Sequence, residues 1–451
     1  MKLINKIQFN TQNRATNYSS ILLYLLVMLS IGKLATYTTI GIVLFAFYLF
    51  FLILRKKTTI DKFFHTFFYL LVFSSIYVGD VFKVITIILL LLFLAIYKKT
   101  KSTERDKNFN YFEYLFLLLF TLITINSIIF PPRFKGLDVF IYFFIIPFLF
   151  IGTKYYGFTI SLLKTIRVFI TSCLIASVSL FLVNFYNGTL FLKTNPQFSE
   201  PIGLTHVYFG LYLTICNILF LTNNLKNTPV FNPIKDFFII IFNTFLLLYV
   251  GARMSLIAFI IVLLFFGYKK VTLKPYHKIL SLGLVIIGVI FIGYKTPRFN
   301  QGLDEFSNLY TIIKTNNKKE LIKESWKNIP LRYLTYKYTF EELKSKWPLG
   351  VGMQNVRPHI SNKIINDGYK YYHPINSHNQ YVHFFIGMGS IGLVFFLFLI
   401  IQLGKNSNIN PYIFIFFLIV MITESILVRG KGILLFTFFN LLYVNKNYWN
   451  D

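Results

Sequence analysis

The sequence predicts an all-α integral membrane protein with 12–14 transmembrane helices. Three observations carry that prediction. Of the 451 residues, 55% are hydrophobic and only 14% charged, whereas soluble chains carry about 25% charged residues. Apolar runs long enough to cross about 30 Å of hydrocarbon recur along most of the chain. Lastly, the 45 Lys and Arg, set against 17 Asp and Glu, fall unevenly between alternate connections, as topology-setting charges do. The composition excludes intrinsic disorder. The net charge of +28 would point to nucleic acid in a soluble chain; here it orients membrane segments, so no nucleic-acid partner is expected.

Taken in order, the expected spans are 18–33, 34–54, 63–79, 81–97, 111–130, 137–152, 162–186, 203–222, 235–251, 252–269, 278–294, 379–402, 411–428 and 431–444. The polar N-terminus is followed by no small-residue cleavage site, so the first run reads as a retained span. With the N-terminus in the cytoplasm, the inside segments hold 23 Lys and Arg and the short outside connections eight. That asymmetry predicts an even span count and two cytoplasmic termini. Cys173 and Cys216 both lie within apolar runs, which argues against disulfides, zinc clusters and thiol chemistry.

The expected organisation is a multi-span region over 1–294, one long extracytoplasmic loop over 295–378 and C-terminal helices over 379–451. A structureless stretch as long as 295–378 is rare, so it is expected to contain short helices. Within it, the segment from Pro330 to Pro348 reads as an amphipathic helix, and the PLGVG that follows as a tight turn. Trp326 and Trp347 fall in this loop, as expected of a segment near the membrane interface.

Candidate chemistry gathers where the loop re-enters the membrane. His373, His378 and His383 precede a run bearing Gly387, Gly389 and Gly392. A histidine at a wet boundary can serve as a general base, and the glycines would allow a helix or a lipid-linked substrate to come close; polar interface residues and ordinary small-residue packing explain them equally well. Arg253 stands between two apolar runs, where a cation usually faces a polar cavity or an anion. A snorkelling turn residue is the alternative. Arg298, Arg332, Arg133, Arg429 and Lys431 are the other outer-side cations, and an arginine fork suits phosphate oxygens. Glu424 is the one acid well inside an apolar run. The acids show no clustering of the kind a metal-dependent transfer site uses, so no metal is expected. Nucleotide-binding and zinc-protease motifs are absent from the sequence.

These residues resemble the O-antigen ligase family. His378, Asn379, nine residues, Gly389, two residues and Gly392 fit its H-[NSQ]-x9-G-x-x-G signature. GARMSLIAF around Arg253 is similar to the family's arginine-led helix, with Ala252 where a serine or threonine is more usual. Arg332 before Pro348–Gly352 is similar to its loop motif, an arginine-bearing helix ending in a Pro-x-Gly-x-Gly turn.

The resemblance, which covers roughly 200–444, implies a GT-C-like bacterial inner-membrane glycosyltransferase with a periplasmic site and no cofactor. It would move a glycan from undecaprenyl pyrophosphate to an acceptor hydroxyl, such as a lipid A-core sugar, with inversion. By the same resemblance His378 is the expected base, while Arg253 and Arg332 bind pyrophosphate; Asn379, Gly389, Gly392 and Arg298 support them. Polymerases and protein O-oligosaccharyltransferases share the family, and THVYFGLYL around His206 is similar to polymerase-type members. A polysaccharide or lipid-linked-sugar transporter is the non-enzymatic alternative; it would need charges along a central path, for which Glu424 is the main candidate beside Glu113, Asp138 and Lys83 near span ends.

Overall fold

The computed structural model describes residues 60–77, 89, 110–132, 136–191, 197–224, 229–270, 297–325, 327–343, 347–369 and 376–448. Every regular element among them is helical. Six helical segments are long and apolar enough to cross a membrane: Tyr111–Ile129, Leu137–Tyr155, Leu162–Tyr186, His206–Asn223, Pro233–Val250 and Gln380–Lys405. Shorter apolar helices cover Phe64–Ser74, Arg253–Gly267, Pro411–Thr423 and Gly430–Val444. The chain is an all-α, multi-pass membrane protein. These helices coincide with ten of the expected spans, while 18–33, 34–54, 278–294 and, apart from Leu89, 81–97 lie outside the described residues.

The chain divides into two compact units, the first made of 1–113, 145–256 and 444–451 and the second of 114–144 and 257–443. In chain order the helices are α1 (Ile60–Ser74), α2 (Tyr111–Ile129), α3 (Leu137–Phe140), α4 (Tyr142–Tyr155), α5 (Leu162–Tyr186), α6 (His206–Asn224), α7 (Pro233–Val250), α8 (Arg253–Lys270), α9 (Pro297–Lys314), α10 (Lys318–Glu324), α11 (Asn328–Leu343), α12 (Val356–Asn366), α13 (Gln380–Lys405), α14 (Pro411–Thr423) and α15 (Gly430–Val444).

In the first unit α6 is the inner helix, buried along most of its length and flanked by α5 and α7. The neighbours keep one lipid-compatible face: Leu182 and Phe185 on α5, and Phe237, Phe238, Ile241 and Phe245 on α7, are exposed. Capping follows the sequence. Ser161 accepts from the Lys164 N–H at 3.1 Å, and Asn232, just ahead of Pro233, accepts from that of Ile234 at 2.9 Å. Gly251 (φ 68) ends α7 in the left-handed conformation and reverses the chain into α8. A Cβ on Gly210 would sit 2.5 Å from the Ala252 Cβ, so glycine is what lets α6 meet that reversal closely. Lys154 is a cation of an expected inside connection, yet its side chain is only 5% exposed and pairs with Glu113 at 2.6 Å. Asn445 donates to the same Glu113 oxygen at 2.9 Å. A buried charge with an opposite charge and a hydrogen bond is the tolerable form of burial.

In the second unit the polar stretch after residue 296 folds into α9 to α12 around an apolar core of Leu309, Ile312, Leu321, Leu334, Tyr338, Val356, Ile360 and Ile364, which extends to Ile386 of α13. Pro330 falls in the first turn of α11, where proline is tolerated, so the expected loop helix starts two residues before that proline. α2, α14 and α15 meet through edge-to-face aromatics, with Phe436 against Phe116 at 6.0 Å and against Phe417 at 5.4 Å. The expected span 411–428 is not one helix. α14 stops at Thr423, Glu424 is extended (φ −141, ψ 139), and a 3-10 turn covers Ile426–Val428. Glu424 is therefore at a helix end rather than within a continuous span.

Candidate active site

The start of α13 is set by Asn379, whose side chain accepts from the Val382 N–H at 3.1 Å. His378 just before it takes φ 50, a left-handed conformation that costs a non-glycine residue roughly 1–2 kcal/mol and is less unusual for histidine. With this turn the His378 Nδ1 lies 3.3 Å from Glu424 Oε2. The other Glu424 oxygen accepts from Arg332 Nη2 at 2.6 Å, and Arg332 Nη1 donates to the Thr423 carbonyl at 3.3 Å. One carboxylate thus holds the histidine and the arginine that the sequence singled out separately.

Neutral hydrogen bonds fix this arrangement. Ser425 Oγ accepts from the Asn379 N–H at 3.1 Å and is 2.8 Å from Ser377 Oγ. Ser377 Oγ in turn lies 3.1 Å from Nδ1 of the buried His383. Gln380 Oε1 accepts from the Leu427 N–H at 2.7 Å. From α11, one turn beyond Arg332, the Tyr336 hydroxyl donates to the His378 carbonyl at 3.2 Å. Burial raises the Tyr336 phenol above its ordinary value, outweighing the lowering by Arg332, so it remains a donor. Burial would also raise the Glu424 carboxyl, which lies beyond the end of α14. The hydrogen bond from His378 and the charge of Arg332 prevail and hold it below the ordinary range.

The glycine signature has a different role from the one expected. Gly389 (φ 66, ψ −163) interrupts α13 in a region essentially reserved for glycine. The break frees the carbonyls of Ile386 and Gly387, which accept from Val351 N–H and Gly352 N–H, each at 2.9 Å. What approaches these glycines is the PLGVG turn of the chain itself. A Cβ on Gly389 would fall 1.6 Å from the Pro348 carbonyl oxygen, and one on Gly350 would fall 2.4 Å from that of Ile386. Asn126 of α2 completes the join: its amide nitrogen donates to the Leu349 and Gly387 carbonyls, each at 3.3 Å, and its oxygen accepts from the Met353 N–H at 2.9 Å. A Cβ on Gly392 would lie 2.2 Å from that of Met388.

Of the expected site residues, the structure brings together His378, Asn379 and Arg332, with Gly389 in the same helix as Asn379's cap. Arg253 opens α8 and belongs to the first unit. Arg298 lies in the first turn of α9, with its side chain outside the described residues, as are Arg133 and His373. The sequence reading missed Glu424, Tyr336, Ser425 and Asn126 as members of the cluster. Only Glu424 gave a signal, as an acid in an apolar run, and such residues are functional candidates by default.

A helical multi-pass membrane protein with a histidine, a carboxylate and an arginine gathered where apolar helices end is the class these features define. Residues 237–397 match the family model described as O-antigen ligase. That match supports a ligase- or polymerase-type membrane glycosyltransferase. The match includes Arg253, Arg332, His378, Asn379, Gly389 and Gly392 and ends before Glu424. No curated protein matches the chain.

Proposed function

We propose that this chain is a ligase that transfers a glycan from undecaprenyl pyrophosphate to an acceptor hydroxyl, in the first instance on a lipid A-core sugar, at the periplasmic face of the bacterial inner membrane. Both termini are then cytoplasmic, and 295–378 is the periplasmic loop between the multi-span region and the C-terminal helices. The observation that carries the reading is the shared carboxylate: Glu424 meets His378 Nδ1 at 3.3 Å and Arg332 Nη2 at 2.6 Å.

With Nδ1–H donated to Glu424, the Nε2 of His378 carries the lone pair and can take the proton of an acceptor hydroxyl as its oxygen attacks the anomeric carbon. The bond to the pyrophosphate oxygen breaks on the opposite face, so configuration inverts and undecaprenyl pyrophosphate leaves. Two of the five N–H donors of Arg332 are occupied by Glu424 and Thr423, which leaves three for pyrophosphate oxygens. The family resemblance gives Arg253 a pyrophosphate-binding role as well. Fixed cations of this kind stabilise developing charge effectively where water is excluded.

The deciding experiment is surface-glycan analysis in a strain lacking this chain. Full-length polymer left on the lipid carrier supports a ligase. Single repeat units on lipid A-core would make it a polymerase, and normal lipopolysaccharide with an unglycosylated protein would make it a protein glycosyltransferase.

Glu424→Gln removes the charge at nearly constant shape, so kcat is expected to fall roughly 10- to 100-fold, with little further loss when His378 is already alanine. Full additivity of the two changes would separate Glu424 from His378. The lowered carboxyl value keeps Glu424 ionised in weak acid; its pairing is present above the ordinary carboxylate value and lost only as pH falls through the lowered one.

A further inference from the structure

α9 has three faces rather than two. Glu305, Leu309 and Ile312 are buried toward the core of the second unit. Gln301, Asp304, Ser307, Asn308 and Thr311 form an exposed polar face. Between them runs an exposed apolar stripe: Leu303, Phe306, Tyr310 and Ile313 are 47%, 63%, 63% and 44% exposed, at the i, i+3, i+7, i+10 spacing of one helix face.

The stripe cannot turn inward. Glu305 Oε2 accepts from the Ile329 N–H at 3.0 Å and Oε1 from Gln301 at 3.0 Å, which locks the helix rotation against α11.

We propose that this stripe lies on the phospholipid surface of the membrane that the chain crosses, with the rings of Phe306 and Tyr310 at headgroup depth. Two residues separate Pro297, where α9 begins, from the end of the apolar run 278–294, whose expected crossing sets the start of α9 at the bilayer boundary. Aromatic rings concentrate at that depth. The end of α9 and the helix that follows carry exposed Lys314, Lys318, Lys319 and Lys323 against Glu320 and Glu324, an excess of positive charge that lipid phosphates attract. A protein partner would have to match a stripe one helix wide that is flanked by those lysines, whereas a lipid surface needs no such match.

The test uses the full chain in nanodiscs of phosphatidylethanolamine and phosphatidylglycerol, with an environment-sensitive fluorophore on single cysteines at Phe306→Cys, Tyr310→Cys, Ser307→Cys and Asn308→Cys in a Cys173→Ala, Cys216→Ala background. Lipids spin-labelled near the headgroup are expected to quench the first two positions several-fold more than the last two, with the reverse for an aqueous quencher. Equal aqueous quenching at all four positions overturns the proposal. So does efficient Phe306→Cys cross-linking between two copies together with protection from both quenchers, which would assign the stripe to a second chain. Neither readout depends on glycan transfer, so the outcome is independent of the assigned reaction.

Discussion

His378→Ala is expected to lower glycan transfer by roughly 100- to 10,000-fold, the usual contribution of a positioned general base, while the protein stays in the membrane at normal level. The second half of that expectation follows from the geometry. The turn before α13 is fastened by Asn379, Ser425 and Gln380, and the His378 contact that Tyr336 uses is a backbone carbonyl, which alanine retains. Among the described residues the imidazole has one hydrogen-bond partner, Glu424. Removing it relieves a left-handed histidine of little else. Transfer measured with lipid-linked donor in purified membranes is the check; near-normal transfer would remove His378 from the chemistry.

Gly389→Ala is expected to have the largest effect on the fold. The backbone region alone costs a non-glycine residue about 1–3 kcal/mol, and the new methyl would fall 1.6 Å from the Pro348 carbonyl oxygen. A backbone atom cannot swing aside as a side chain can, so the PLGVG turn must lift from α13. Its N–H donors to Ile386 and Gly387 and the hydrogen bonds of Asn126 are then lost together. The expected loss exceeds about 3 kcal/mol, a large fraction of a typical stability, and should appear as low membrane abundance and an early thermal transition in detergent. Gly267→Ala is the matched control, because a Cβ there meets nothing within 4 Å and glycine is a poor helix former. A Gly389→Ala protein as stable as that control would mean that the interruption of α13 is dispensable.

The helices and the histidine were legible in the sequence because their signals are local. Apolar length marks a span, and His378, Asn379, Gly389 and Gly392 stand at a fixed short spacing. The reason for the spacing was not legible. Gly389 answers to Pro348 and Gly350, which the backbone bonds of Val351 and Gly352 and the side chain of Asn126, more than 220 residues earlier, tie to α13. An asparagine in an apolar helix carries no sign of its partners. Glu424 was visible as an acid among apolar residues, but the end of α14 that turns it toward Arg332 and His378 has no glycine or proline to announce it: the sequence there reads ITESILV. The position of an isolated acid therefore pointed to a charge along a span, which a transporter would use, whereas the structure puts it at a helix end.

The way the 423–428 connection is fastened bears on how the pair of His378 and Glu424, 46 residues apart in the chain, can be both aligned and free to react. Ser425 and Gln380 hold the two segments by uncharged bonds that no proton transfer disturbs. The loss of conformational entropy on bringing ring and carboxylate together thus occurs once, at folding, and is not repeated at each turnover. The ring can gain and lose a proton while its surroundings stay where they are, which is the condition for a base that must reset between one sugar chain and the next.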